Sequence, residues 1–115
     1  MLLEIKKRYS DLILDVTVER FRHEVGSHEL IAILHLRDGS NLHIRDYRFY
    51  DGTRKYSYHW ESDSGDFLGR WDNAPHWPEL ESYPHHFHEA NRDNVTDSEV
   101  RNLDSLCEIV RERID

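Results

Sequence analysis

This chain predicts an α+β fold, an antiparallel sheet backed by helices, on three observations. Apolar side chains recur with a period of two through most of the first seventy residues, Asp-Gly and Ser-Gly pairs separate those stretches, and the C-terminal end changes to a helical period. With 115 residues there is enough chain for one hydrophobic core and too little for a second, so residues 1–115 read as a single domain.

The first strand is expected over Leu12–Val18, where Leu12, Leu14, Val16 and Val18 alternate with polar residues and Ile13 is the exception. Leu30–Leu36 repeats the pattern. Asp38-Gly39 then supplies a pair able to take positive φ in a tight hairpin, and Leu42–Tyr50 forms the return strand. Asp51-Gly52 marks the next reversal, and Arg54–Glu61 with Phe67–Trp71 make a further hairpin around Ser64-Gly65. The result is a five-stranded antiparallel meander of sequential neighbours. Beyond Asp72, Pro75, Pro78 and Pro84 exclude a continuous strand or helix through Asn94, which leaves a long loop. Thr96 followed three residues later by Glu99 fits a capping box. Val100, Leu103, Cys107, Val110 and Ile114, with Leu106 beside them, then describe an amphipathic C-terminal helix covering one face of the sheet. The N-terminal MLLEIKKR fits a short helix on the same layer, with Leu2, Leu3 and Ile5 inward.

Composition narrows the function. A net charge of −8 argues against general affinity for nucleic acid, because neutralising phosphates needs a basic surface; it leaves room for a local basic site. The longest apolar run near the N-terminus, Leu12–Leu14, is far too short to span a bilayer or to form the core of a signal peptide. Cys107 stands alone, so an internal disulfide is impossible and the thiol reads as a small buried hydrophobe. The expectation is a cytoplasmic protein without membrane contact.

The chemistry concentrates between Tyr56 and His88, which hold three Trp, five His and an Arg-Trp-Asp-Asn run. A core wants aliphatic side chains, whereas imidazole, guanidinium, carboxylate and indole N–H groups together suit a polar site. Alternation in YSYHW puts Tyr56, Tyr58 and Trp60 on one face, as core packing or as a stacking platform, and Ser57, His59 and Glu61 on the other. Arg70 and Asp72 share a face as either a surface ion pair or a polar site. His76, His85, His86 and His88 fall in the loop, where side chains can converge without regular spacing. One reading makes them metal ligands, with His86, His88 and either His85 or His76 supplying three imidazoles. No Cys accompanies them, no HExxH helix is present and adjacent His ligands rarely point the same way, so neither metal nor other cofactor is expected. A second reading is acid–base work on RNA. His85 or His86 would take the ribose 2′-hydroxyl proton, His76 or His59 would return one to the leaving 5′-oxygen, Arg70 would stabilise the phosphorane, and Tyr58 or Trp77 would stack a base. The third is structural, with the imidazoles capping strand ends. His23, His28, His35 and His43 lie outside any motif and read as surface or structural residues.

Taken in order, Lys55–Trp60, the run RWDNAPHWPEL from Arg70 to Leu80, and YPHHFH from Tyr83 to His88 resemble the TumE family of prokaryotic toxins, encoded beside a helix-turn-helix antitoxin. The resemblance covers nearly the whole chain. His59, Arg70, Asp72, Asn73, His76, His85, His86 and His88 match the family pattern, while Trp77 and Phe87 stand where relatives often carry a second His and a Lys. It implies a toxin and a cognate helix-turn-helix antitoxin as partner, while the reaction rests on the residues; a homodimer is a further candidate assembly that the resemblance does not address. The candidate catalytic residues are thus Arg70, His76, His85, His86 and His59, and the candidate substrate-binding residues Tyr58, Asp72, Asn73, Trp77 and His88. The expected function is a toxin cutting RNA by metal-independent His/Arg chemistry; the alternatives are a non-catalytic module that docks a protein, and a metal-dependent hydrolase built on the His cluster.

Overall fold

The computed structural model describes residues 2–90 and 94–115. In chain order the elements are α1 (Leu2–Arg8), β1 (Ile13–Glu24), β2 (Ser27–Leu36), β3 (Asn41–Arg48), β4 (Arg54–Glu61), β5 (Phe67–Asp72), β6 (His86–Glu89), β7 (Val95–Asp97) and α2 (Leu103–Ile114). Among the described residues the strands form one seven-stranded sheet in the order β1 to β7, every neighbouring pair antiparallel. No helix among the described residues is long and apolar enough to cross a membrane.

The α+β class and the meander hold, but the strand number of five is corrected to seven. The prolines end β5 and shape a loop over 73–85, yet none lies within 86–89, and His86–Glu89 is left free to pair with β5. Val95–Asp97 then closes against β6; residues 91–93 fall outside the described part. Thr96 is therefore a strand residue and not a helix cap. The cap is Asn102, whose side chain accepts from the Ser105 backbone N–H at 2.9 Å while Ser105 Oγ accepts from the Asn102 N–H at 3.1 Å, the same reciprocal device six residues later.

At the N-terminal edge the expected phase is corrected in part, since Val16 packs against the core and Val18 stands opposite the buried Ala32 as the alternation requires. Leu12 and Ile13 are both buried, whereas Leu14 and Val18 are exposed. Leu12 still belongs to the turn that follows α1, with its N–H donating to Tyr9 O, and two register irregularities in β1 break strict alternation. β1 and β2 also extend to a hairpin at Val25-Gly26, where Gly26 takes φ 82°, as Gly39 does with φ 87° at the expected Asp38-Gly39 turn.

One face of the sheet makes the core. Leu30, Ala32, Leu34 and Leu36 of β2, Leu42 and Ile44 of β3, Tyr56, Tyr58 and Trp60 of β4, Trp71 of β5 and Phe87 of β6 bury against Ile5 of α1 and Leu103, Leu106, Cys107 and Val110 of α2. The polar atoms within it are partnered: Tyr58 OH donates to Asp46 at 2.6 Å, Arg54 binds the same carboxylate at 3.0 Å, and Trp60 Nε1 donates to Ser40 Oγ at 3.0 Å. Burial pushes the Tyr56 phenol from 10.0 up to about 12 and the Cys107 thiol from 9.0 up to about 12. Because these folded values are raised, the unfolded chain loses its protons first. Stability present below about pH 9 should decline as the pH rises towards 12, which a series of alkaline melting curves checks.

Gly69 shows how closely β5 and β6 pack. A methyl group there would meet Phe87 Cε1 at 2.7 Å and Cζ at 3.0 Å. Gly69→Ala must displace a ring buried against Trp71, and a loss of about 1–3 kcal/mol in chemical denaturation is expected.

Candidate functional site

The same period of two that buries the apolar residues places a polar row on the sheet's other face. His43 lies opposite His59, His59 opposite Arg70, and Arg70 opposite His88, so two imidazoles flank a guanidinium across three strands about 4.8 Å apart. A cavity of about 380 Å³ opens here, lined by His59, Phe67, Arg70 and His88. A larger recess of about 640 Å³ lies elsewhere, beside Phe87 and Arg113, but it is lined by Glu81, Glu89, Asp97 and Glu99 and has no imidazole. Convergent imidazole and guanidinium make the smaller one the better candidate.

Each wall has its own support. Glu61 bonds His43 Nε2 at 2.7 Å and lies 3.8 Å from His59 Nε2, while the His59 ring tilts against Phe67 with centroids 5.2 Å apart. Arg70 Nε binds Asp72 Oδ2 at 3.1 Å, which fixes the guanidinium while leaving about half the side chain exposed. Asp72 is itself buried beneath the 73–85 loop and accepts from the Ala74 N–H at 3.0 Å.

Behind Arg70, β5 and β6 bring a second group together. His86 Nε2 lies 2.9 Å from Asp72 Oδ1 and 3.0 Å from His88 Nε2, and His88 Nε2 lies 3.7 Å from Asp72 Oδ2. The other nitrogen of His86, Nδ1, bonds Pro84 O at 3.0 Å. Trp77 folds over both rings edge-on, 6.3 Å from each. His88 is held below the ordinary histidine range, first by burial and further by His86 and Arg70, with Asp72 opposing.

The expected site residues separate accordingly. His59, Arg70, Asp72, Trp77, His86 and His88 come together on the open face. Tyr58 does not: it lies in the core with no exposed surface, so it has no face to offer a base. His85 points to the core side, where Nδ1 bonds Tyr56 OH at 2.6 Å and the ring stacks on Tyr56; burial, Arg101 and Arg54 lower its pKa. Asn73 bridges β4 backbone, accepting from the Tyr56 N–H and donating to Arg54 O, both at 2.9 Å. His76 is exposed in the loop, and no contact among the described residues joins it to the cluster. Reading the histidines motif by motif missed His43 and Glu61, and with them His35, bonded to Thr17 and Asn41 on the same face. The available signal was phase: all three alternate with buried apolar residues just as His59 does.

No curated protein and no solved structure matches this sequence. The family comparison is positive: the model described as toxin TumE matches residues 2–115, nearly the whole chain and with it every residue of the open-face cluster, so the protein belongs to the TumE toxin family.

Proposed function

We propose that this toxin cleaves RNA on the open face of its sheet. The observation that carries the reading is the cross-strand row His59–Arg70–His88 lining one cavity. Arg70, anchored at Nε by Asp72, presents a cation where a phosphodiester would sit, with an imidazole on either side. One imidazole takes the 2′-hydroxyl proton as that oxygen attacks phosphorus. The other gives a proton to the departing 5′-oxygen, so the charge carried at the phosphorane is met by Arg70. His43 and Glu61 behind His59 orient that ring. Trp77, half-buried beside His86 and His88, is the aromatic surface left for a base now that Tyr58 belongs to the core. A small cavity on an acidic protein suits one or two nucleotides of single-stranded RNA and not a long duplex. The proposed partner that restrains the toxin is a cognate helix-turn-helix antitoxin.

Expression without an antitoxin tests this. Arg70→Ala and His59→Ala should each relieve growth arrest while the purified variants keep wild-type melting behaviour, and RNA from arrested cells should carry 2′,3′-cyclic phosphate ends. Full toxicity in both variants contradicts the assignment. A second reading, docking of a protein without catalysis, is favoured by the exposed Leu14, Val18 and Phe21 of β1. It predicts growth arrest with intact RNA, abolished by charged substitutions on β1 and indifferent to Arg70.

A further inference from the structure

We infer that Asp72, His86 and His88 form a binding site for a divalent transition-metal ion of the zinc class. His86 Nδ1 faces a carbonyl oxygen, Pro84 O at 3.0 Å, and only a protonated nitrogen can make that bond. The remaining nitrogen of a neutral ring, Nε2, then carries a lone pair. It points at a carboxylate oxygen 2.9 Å away and at a second imidazole nitrogen 3.0 Å away. His86 Nε2, the Asp72 carboxylate and His88 Nε2 thus converge, the first two residues only 1% and 4% exposed and the His88 side chain 22%, and each can offer a lone pair to a cation. A cation answers all three donors together.

The spacing fits an ion. For a tetrahedral centre with bonds of about 2.0–2.1 Å the donor–donor edge is about 3.3 Å. His86 Nε2 lies 2.9 Å from Asp72 Oδ1, the two imidazole Nε2 atoms are 3.0 Å apart and His88 Nε2 lies 3.7 Å from the other carboxylate oxygen, Oδ2; with one ligand atom taken from each residue, all three lie within 4.8 Å of one another. Two imidazoles and one carboxylate are a ligand set that zinc and related ions accept while keeping a further position open. The surroundings fit as well. Pro84 O sets the His86 tautomer, the Ala74 N–H and Arg70 Nε hold the carboxylate, and Trp77 covers the rings, which together orient the ligands and limit water. Sequence reasoning combined His86 and His88 with His85 or His76. It missed this set because the third ligand, Asp72, comes from the neighbouring strand, directly opposite His86. His88 also lines the cavity holding Arg70 and His59, so an ion held by His88 Nε2 and proton transfer by that ring exclude each other.

Metal binding on RNA-free protein provides the test. Chelator-treated wild type, dialysed against zinc and analysed for elements, should retain about one ion per chain, and cobalt in its place should give the visible bands of a low-coordinate site. His88→Ala and the near-isosteric Asp72→Asn should each weaken binding by at least about tenfold, whereas His76→Ala should leave it unchanged. His86 is too buried for its removal to be informative alone, so the other two ligands carry the test, each with a melting curve to show that it folds. Absence of uptake at micromolar zinc, or uptake indifferent to both ligand substitutions, overturns the inference. The outcome is separable from the RNA reading: cleavage by ion-free protein would leave that reading standing without this site, and an ion bound by a protein that cleaves nothing would do the reverse.

Discussion

Leu106→Ala should lower the unfolding free energy by about 2–5 kcal/mol, the range for a large side chain removed from a site that cannot collapse. Leu106 has no exposed surface and stands between Leu103 and Val110 on the buried stripe of α2. The cavity would be bordered by the sheet, whose strands are pinned on both sides by their ladders and cannot move in to fill it. Alanine favours the helix slightly more than leucine does, an effect of a few tenths of a kcal/mol in the opposite direction. Leu103 is buried on the same stripe and should behave likewise, with a smaller loss because it sits in the first turn. Urea denaturation checks both variants, and an unchanged midpoint for Leu106→Ala would remove α2 from the core.

The parts of this fold legible in the sequence were those governed by local rules. Period-two alternation located β2 to β5, and the helical stripe located α2, because in each case a single residue pattern faces a single buried surface. β6 was unreadable for a physical reason. In HFHE only Phe87 is a buried hydrophobe, and His86 and His88 on either side of it follow the chemistry of the open face instead of a hydrophobic period. β1 misled because an edge strand with register irregularities need not keep one phase. The candidate site was half legible. Composition pointed to Arg70, Asp72, His86 and His88, but only pairing across strands could unite Asp72 with His86, move His85 to the opposite face, and bring His43 with Glu61 behind His59.

Arg70 should dominate activity and matter little to folding. Its side chain is about half exposed, and its one described ion pair, with Asp72, duplicates contacts that Asp72 keeps with His86 and Ala74. Removing a positioned cation from a developing phosphorane costs about 100–1000-fold in rate, by analogy with deleting one oxyanion donor. Arg70→Lys retains charge but loses the planar fork, one edge of which is held by Asp72 while the other would meet phosphate oxygens. It should recover only a small part of that loss. Its melting curve should match the wild type, so that a defect in activity is not mistaken for a defect in fold.

The most direct measurement is incubation of single-stranded RNA with equal amounts of purified wild type and Arg70→Ala, both shown to be folded, followed by analysis of the fragments and their ends. Fragments from the wild type bearing 2′,3′-cyclic phosphates, with formation reduced at least about 100-fold in the variant, are the predicted result. RNA left intact by the wild type, or cut equally well by the variant, would contradict the claim that this open face is a ribonuclease site.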